Sequence, residues 1–303
     1  MNGRTAAAVV AALVASWFVG MPAGQVFRSA IDVASFGVTV VDRKGVLATG
    51  LDREAFEVTE DGQPQSVTLF SRGDAPEAEV PLHLGLLFDT SGSMEESIGF
   101  SRSAAIKFLN TVPEAKDITL VDFDTQVRVA RYGQHDFARL VERIRQRRPE
   151  GTTALYDALG VYLDGAASED GRRTLVLYTD GGDTSSSMSF YDAKALLRAS
   201  DITLYAVGFL ANLRQPAQFE QRARLRDLAE STGGLAFFPD TVKDLDPAYE
   251  KIAAEIRGQY TIGYLSTNVR TDGTWRKVEI RVKRPGLKVR TRPGYYAPFR
   301  KQP

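Results

Sequence analysis

The sequence predicts an α/β fold: a doubly wound, mostly parallel sheet inserted between N- and C-terminal β segments that close into a small β-sandwich. Three observations predict it. From Leu82 to Arg257, apolar runs dense enough to be buried on both faces alternate with segments of helical period. Both ends of the chain, by contrast, show period-two alternation. Neither end carries enough apolar surface to form a stable sheet alone, so the economical solution joins them.

The elements follow in order. Arg4 precedes an apolar run from Ala6 to Val19, and Gly20, Pro22, Ala23 and Gly24 come next, the pattern of a secretory signal peptide over 1–24. The run is shorter than the roughly 20 residues of a stable membrane span. Cleavage near Ala23 to Gln25 is expected, with a retained signal anchor as the alternative. Residues 25–75 form the first β segment, with strands over 36–42, 56–60 and 65–70 and a turn at Asp61-Gly62. The acidic, Pro-bearing stretch from Gly73 to Pro81 suits a linker. Arg72-Gly73-Asp74 matches a cell-adhesion tripeptide, but the linker composition explains three residues without a function. The α/β domain spans 80–257, with strands at 82–88, 118–123, 174–179, 202–209 and 235–238. Its helices fall at 97–109, 137–145, 154–166, 191–199, 219–231 and 246–257. Residues 258–303 return to period two, with strands at 260–266, 275–283 and 287–292, the last ended by Pro293.

Composition excludes several classes. Lys+Arg and Asp+Glu both number 38, so the chain has no net charge to draw it to nucleic acid or to an anionic membrane. With no Cys there are no disulfides, thiolate zinc sites, thiol nucleophiles or lipidated-cysteine anchors. A chain of 303 residues supports its own core without disulfides, even outside the cytoplasm. No second apolar run of spanning length follows the signal, so the expected location is exported, periplasmic or extracellular. Nothing specifies an oligomeric state.

The chemistry is concentrated at strand ends. Asp89-Thr90-Ser91-Gly92-Ser93 follows the first buried strand, where open α/β sheets place their ligands. An Asp and two hydroxyls at alternate positions present three oxygens on one side of a tight loop, expected to be exposed with little packing role. Hard oxygen donors suit Mg²⁺, with Mn²⁺ or Ca²⁺ as alternatives. Gly151-Thr152-Thr153 opens a helix, and Leu175 to Thr179 leads into Asp180-Gly181-Gly182. D-x-S-x-S after an apolar strand, a Thr about sixty residues on, and a strand ending in T-D-G resemble the metal-ion-dependent adhesion site of von Willebrand factor A domains. The two flanks, Phe36 to Gly45 with Leu51 to Gly62, and Val289 to Pro298, are similar to a bacterial group of such proteins abundant in Acidobacteria.

The resemblance implies roles residue by residue. Ser91 and Ser93 stand where the family has direct hydroxyl ligands, and Thr153 stands as the threonine ligand with Thr152 as the neighbouring alternative. Asp89 and Asp180 stand as the carboxylates that hold the metal through water. The vacant position takes a carboxylate of the ligand, which implies a protein partner with an exposed Asp or Glu and a binding module, not an enzyme. Asp157 and Asp183 read as capping or loop-bonding residues, Asp122 and Asp124 as turn residues. A structural subunit of an envelope complex, without metal-dependent binding, is a second reading. A metal-assisted hydrolase is a third, weakened by the lack of a G-x-S-x-G elbow and by the presence of only His83 and His135. His83 lies inside a buried strand and reads as structural.

Overall fold

The structure, a computed structural model, describes residues 33–74, 80–167 and 169–299; the predicted signal segment lies outside the described residues. Strands β1 (Val33–Val41), β2 (Phe56–Glu60), β3 (Gln63–Gln65) and β4 (Val67–Arg72) come first. The central region runs β5 (Leu82–Asp89), α1 (Ile98–Leu109), β6 (Asp117–Phe123), β7 (Val127–Gly133), α2 (Phe137–Gln146) and α3 (Leu155–Ala166). It continues with β8 (Arg172–Thr179), α4 (Phe190–Ala199), β9 (Ile202–Gly208), α5 (Gln215–Glu230), β10 (Ala236–Phe237) and α6 (Leu245–Gly258). Strands β11 (Tyr260–Leu265), β12 (Trp275–Val282), β13 (Lys288–Arg290) and β14 (Gly294–Tyr296) follow.

The six-stranded sheet has the order β10-β9-β8-β5-β6-β7 and is parallel except for β7, which pairs antiparallel with β6. β5 and β9 are buried along their whole lengths, as the dense apolar runs require of strands covered on both faces. One face packs under α1, α2 and α6 through Leu86, Phe88, Phe108, Ile144 and Ile252. The other packs under α3, α4 and α5 through Leu87, Val121, Leu159, Leu197 and Leu228. This is the predicted fold class. β7 was not anticipated, because Arg128 and Arg131 interrupt its apolar alternation and its edge position leaves most of it half-exposed.

The flanking strands form two four-stranded sheets, β13-β1-β11-β4 and β14-β12-β2-β3, each built from both ends of the chain. Phe36, Val38, Phe56, Val58, Tyr260, Ile262 and Ile280 share one buried cluster between them. Asp61 and Gly62 take φ values of 48° and 81°, the left-handed pair that a two-residue hairpin needs, and turn β2 into β3. The strand expected over 287–292 divides instead. β13 pairs with β1, and the chain then crosses to β14 on β12, where the Pro293 carbonyl accepts from the Val278 N–H at 2.9 Å. The Arg72-Gly73-Asp74 tripeptide is used structurally: a Cβ on Gly73 would run into the backbone carbonyl of Arg257, and its N–H donates to the Gln259 carbonyl at 2.9 Å. Among the described residues no helix is long and apolar enough to cross a membrane.

Sandwich and α/β domain are joined through buried polar contacts. Glu255 on α6 is fully buried and pairs with Arg290 on β13 at 2.6 Å, while the Tyr205 hydroxyl donates to it at 3.1 Å. Arg292 reaches from the sandwich to the last turn of α4, donating to the Ala199 and Ser200 carbonyls at 3.0 and 2.9 Å. Its other terminal nitrogen donates to the Ser35 carbonyl at 2.7 Å, and its guanidinium stacks 4.6 Å from the Phe36 ring centre. Burial pushes its pKa down to about 10, which leaves it charged at neutral pH. Arg292→Ala strands three carbonyls and should reduce stability by about 3–5 kcal/mol in urea denaturation, with Arg292→Lys recovering less than half. An alanine protein within about 1 kcal/mol of wild type contradicts this account.

Candidate metal centre

The parallel strands β5, β6 and β8 end together, so their C-terminal loops meet on one face. Asp89 is the last residue of β5, and Asp180 directly follows β8 on the adjacent strand. Against the expectation of an exposed loop, Asp89, Thr90 and Ser91 are all 0% exposed. The reason is that β5 is central, and the loop after it is covered by its neighbours. Glu150 donates from its backbone to the Thr90 carbonyl at 2.9 Å, and the Thr90 N–H and hydroxyl both donate to the Phe123 carbonyl. Ser93 is exposed and forms the open side of the loop.

Asp89 is held from two directions. The Ser91 N–H donates to Oδ1 at 2.9 Å, and the Thr179 hydroxyl donates to Oδ2 at 2.5 Å. Burial pushes the Asp89 carboxyl up to about 7, and repulsion from the Asp180 carboxylate adds to the rise. The Ser91 and Ser93 hydroxyl oxygens lie 3.0 Å apart. Asp180 is 4% exposed and accepts from the Gly182 N–H at 3.3 Å.

Thr153 comes to the same face by two ties. The Gly92 N–H donates to the Gly151 carbonyl at 3.1 Å, linking the first loop to the second. The Thr184 and Ser185 N–H groups donate to the Thr153 carbonyl at 2.9 and 3.1 Å, linking the second to the third. The Thr153 N–H donates to the Thr184 hydroxyl at 2.9 Å, and the Thr153 hydroxyl itself has no hydrogen-bond partner among the described residues. The Thr152 hydroxyl is 3.0 Å from that of Thr125 and faces outward. The structure thus brings all five sequence-predicted residues to three interlinked loops.

Asp183 accepts from the Tyr156 N–H and Asp157 from the Ser187 and Met188 N–H groups, the loop-bonding roles expected of them. Asp122 departs from its reading as a turn residue. It is fully buried and faces Arg143, Arg147 and Arg128, with its oxygens 2.5, 2.7 and 3.8 Å from their nearest nitrogens. Thr179, the first residue of the T-D-G strand end, was given no role in the sequence reading, yet its hydroxyl holds Asp89.

A second polar cluster lies at the opposite ends of the strands. His83, Asp117 and Glu169 offer ligand atoms within 4.8 Å of one another, a spacing that could accommodate a metal ion. His83 Nδ1 is 3.0 Å from Asp117, and Nε2 is 3.1 Å from the Asp170 carbonyl. Arg131 donates to Asp117 at 2.5 Å and also to Glu169, so a fixed cation already stands between the two carboxylates. That arrangement makes it an ion-pair network in which His83 is structural.

A six-stranded sheet carrying this loop set on its C-terminal edge defines a von Willebrand factor A-type fold. The sequence pattern of the von Willebrand factor type A domain matches residues 83–251, more than half of the chain, and the protein belongs to that family. No curated protein matches the sequence. Solved structures with similar folds include the PilB minor pilin from Streptococcus sanguinis, at 14% identity and TM-score 0.47 over 59% of this chain and 62% of that one. The pilus adhesin SpaC from Lactobacillus rhamnosus GG, in its open conformation, aligns at 12% identity and TM-score 0.50 over 82% of this chain and 49% of its own. A von Willebrand factor type A protein from Catenulispora acidiphila aligns at 15% identity and TM-score 0.47 over 90% and 75%. The chain therefore spans less than two thirds of the pilin and about half of the adhesin.

Gly151 sets the spacing of the loops. It has φ of +69°, and a Cβ there would collide with the Thr125 hydroxyl while its carbonyl holds Gly92. Gly151→Ala should lower stability by about 1–3 kcal/mol and lower the melting temperature by several degrees. A melting curve that overlays wild type removes Gly151 from this role.

Proposed function

We propose that this protein is an exported binding module that holds a divalent cation, Mg²⁺ first, among Asp89, Ser91, Ser93, Thr153 and Asp180. The cation captures an Asp or Glu side chain of a protein partner. One observation carries the reading: the treatment of buried carboxylates on this face. Asp122 is neutralised by three arginines, whereas Asp89 and Asp180, on neighbouring strands, have no basic side chain within ion-pairing distance among the described residues. Two buried carboxylates that repel each other stay ionised together only when positive charge is supplied from outside the chain; the alternative is a proton on one of them, and a bound cation takes that proton's place.

The donor set fits such an ion. Each Asp89 oxygen already accepts one protein hydrogen bond, which suits contact through water, and the free Thr153 hydroxyl and paired serine hydroxyls supply neutral oxygens. A bound divalent ion would supply a strong local field, since neutral ligands leave its charge poorly compensated. Ser93 leaves the site open on its solvent side, where an incoming carboxylate could enter. Export rests on the signal-like segment over 1–24.

The test follows from the burial of Asp89, which calls for an isosteric change. In calorimetry wild type should bind Mg²⁺ or Mn²⁺. Asp89→Asn and Thr153→Val should each weaken that binding at least about tenfold while retaining cooperative unfolding. A wild-type protein that takes up neither ion, but still enters an envelope complex, supports the structural-subunit reading instead. Turnover of an ester or phosphoester abolished by chelator would favour the hydrolase.

A further inference from the structure

Arginine is concentrated beside this face. From Arg139 to Arg148 the chain has five arginines and one glutamate, in a protein with no net charge. Arg139, Arg143 and Arg147 recur at intervals of four, so they project from one side of α2 and its C-terminal cap. With Tyr132 they line an open groove of about 720 Å³, which Glu142 also borders. Arg139 and Arg147 are about 12 Å apart along it, at 1.5 Å per helical residue, a length an extended peptide crosses in about four residues.

Two features make the groove more than a solvated helix face. Asp122 fixes the inner guanidiniums of the groove, and Asp124 holds Arg128 beside them. Arg143 donates through Nε at 2.7 Å to Asp122, Arg147 approaches it through Nε at 2.7 Å, and Arg128 forks onto Asp124 at 2.7 and 3.2 Å. Each guanidinium has five N–H donors, so donors remain beyond those aimed at the buried carboxylates, on side chains already held in position. The groove also leads to the candidate metal centre. The chain leaves α2 through Arg147 and Arg148, gives the Glu150 N–H to the Thr90 carbonyl, and reaches Gly151, which anchors Gly92, and then Thr153.

We propose that this groove binds an acidic peptide segment of the protein partner, running along α2 from the metal-bound carboxylate, so that the arginines read the acidic residues flanking it. This rests on the metal reading above for the placement of the first carboxylate, but the arginines make their own contribution. Guanidinium forks match carboxylates in two-point geometry, as Arg128 already does with Asp124. The apolar floor at Tyr132 and Ala138 suits a peptide backbone.

The probe is a fluorescein-labelled hexa-aspartate peptide, followed by fluorescence anisotropy on the whole chain in Mg²⁺ and in chelator, with hexa-asparagine as control. Arg139→Glu changes an exposed side chain that pairs, among the described residues, only with Asp136. Arg147→Gln combined with Asp122→Asn removes one charge of each sign and preserves the buried balance. Each variant should weaken peptide binding about tenfold or more in both buffers, and circular dichroism should show both folded. If both bind like wild type, the groove proposal fails, whatever chelator does. If chelator has no effect while both variants weaken binding, the groove stands and the metal reading fails. Absence of peptide binding at low salt overturns the groove, as does a heparin fragment that binds the arginines while the peptide does not.

Discussion

β5 has a hydrogen-bonded strand on each side and a layer of helices on each face, and all of its residues are buried. Whatever follows it in the chain, its last side chain is out of water. A carboxylate there is difficult to ionise alone, and Asp89 shows it, with its pKa pushed up to about 7 by burial and then by Asp180. The surrounding loops are arranged around that residue. The Ser91 N–H and Thr179 hydroxyl each take one of its oxygens, and Gly92, Gly151 and Thr184 tie three loops into one surface. An aspartate at the edge of the sheet would have been solvated and would have needed none of this.

The opposite ends of the strands meet the sandwich. Arg172, at the start of β8, donates to the Ile256 carbonyl near the end of α6, and Gln259 alone separates α6 from β11. Because both termini of the α/β domain emerge there, the flanking strands have to pair with each other, and antiparallel sheets that join the two ends of the chain, such as β1 with β11 and β2 with β12, are the result. The buried Glu255–Arg290 ion pair and the directional hydrogen bonds of Arg292 close the junction, where apolar packing alone would permit sliding. The candidate metal face therefore points away from the sandwich.

Much of this was legible in the sequence because it depends on local pattern. Dense apolar runs such as Leu82 to Phe88 marked buried strands, Asp61-Gly62 marked a hairpin, and the Asp89, Ser91, Ser93, Thr153 and Asp180 set marked one face. What escaped depends on which element passes over which. The burial of Asp89 follows from β5 being central in the sheet order, which no local period encodes. Asp122 resembled a turn residue because its three arginines come from β7, α2 and the cap beyond α2. β7 itself carries two arginines in seven residues, a pattern that hides an edge strand. His83 shows the converse: its buried strand was evident, but its partners Asp117 and Glu169 lie 34 and 86 positions along the chain.

The two kinds of positive charge on this face would act at different stages of binding. A divalent ion held through water by Asp89 and Asp180 would keep its strong field within the pocket, while the arginines along α2 would set the field outside it. Exposed guanidiniums act over roughly a Debye length, about 8 Å at physiological salt, so they attract an acidic segment before contact and weaken as salt rises. A cation among buried oxygens is screened much less and acts only after a carboxylate has displaced its water. The arginines would thus govern how fast an acidic partner arrives, and the metal how long it stays. That division requires the two to be contiguous, and the chain from Arg147 to Thr153, with Gly151 held against Gly92, makes them so.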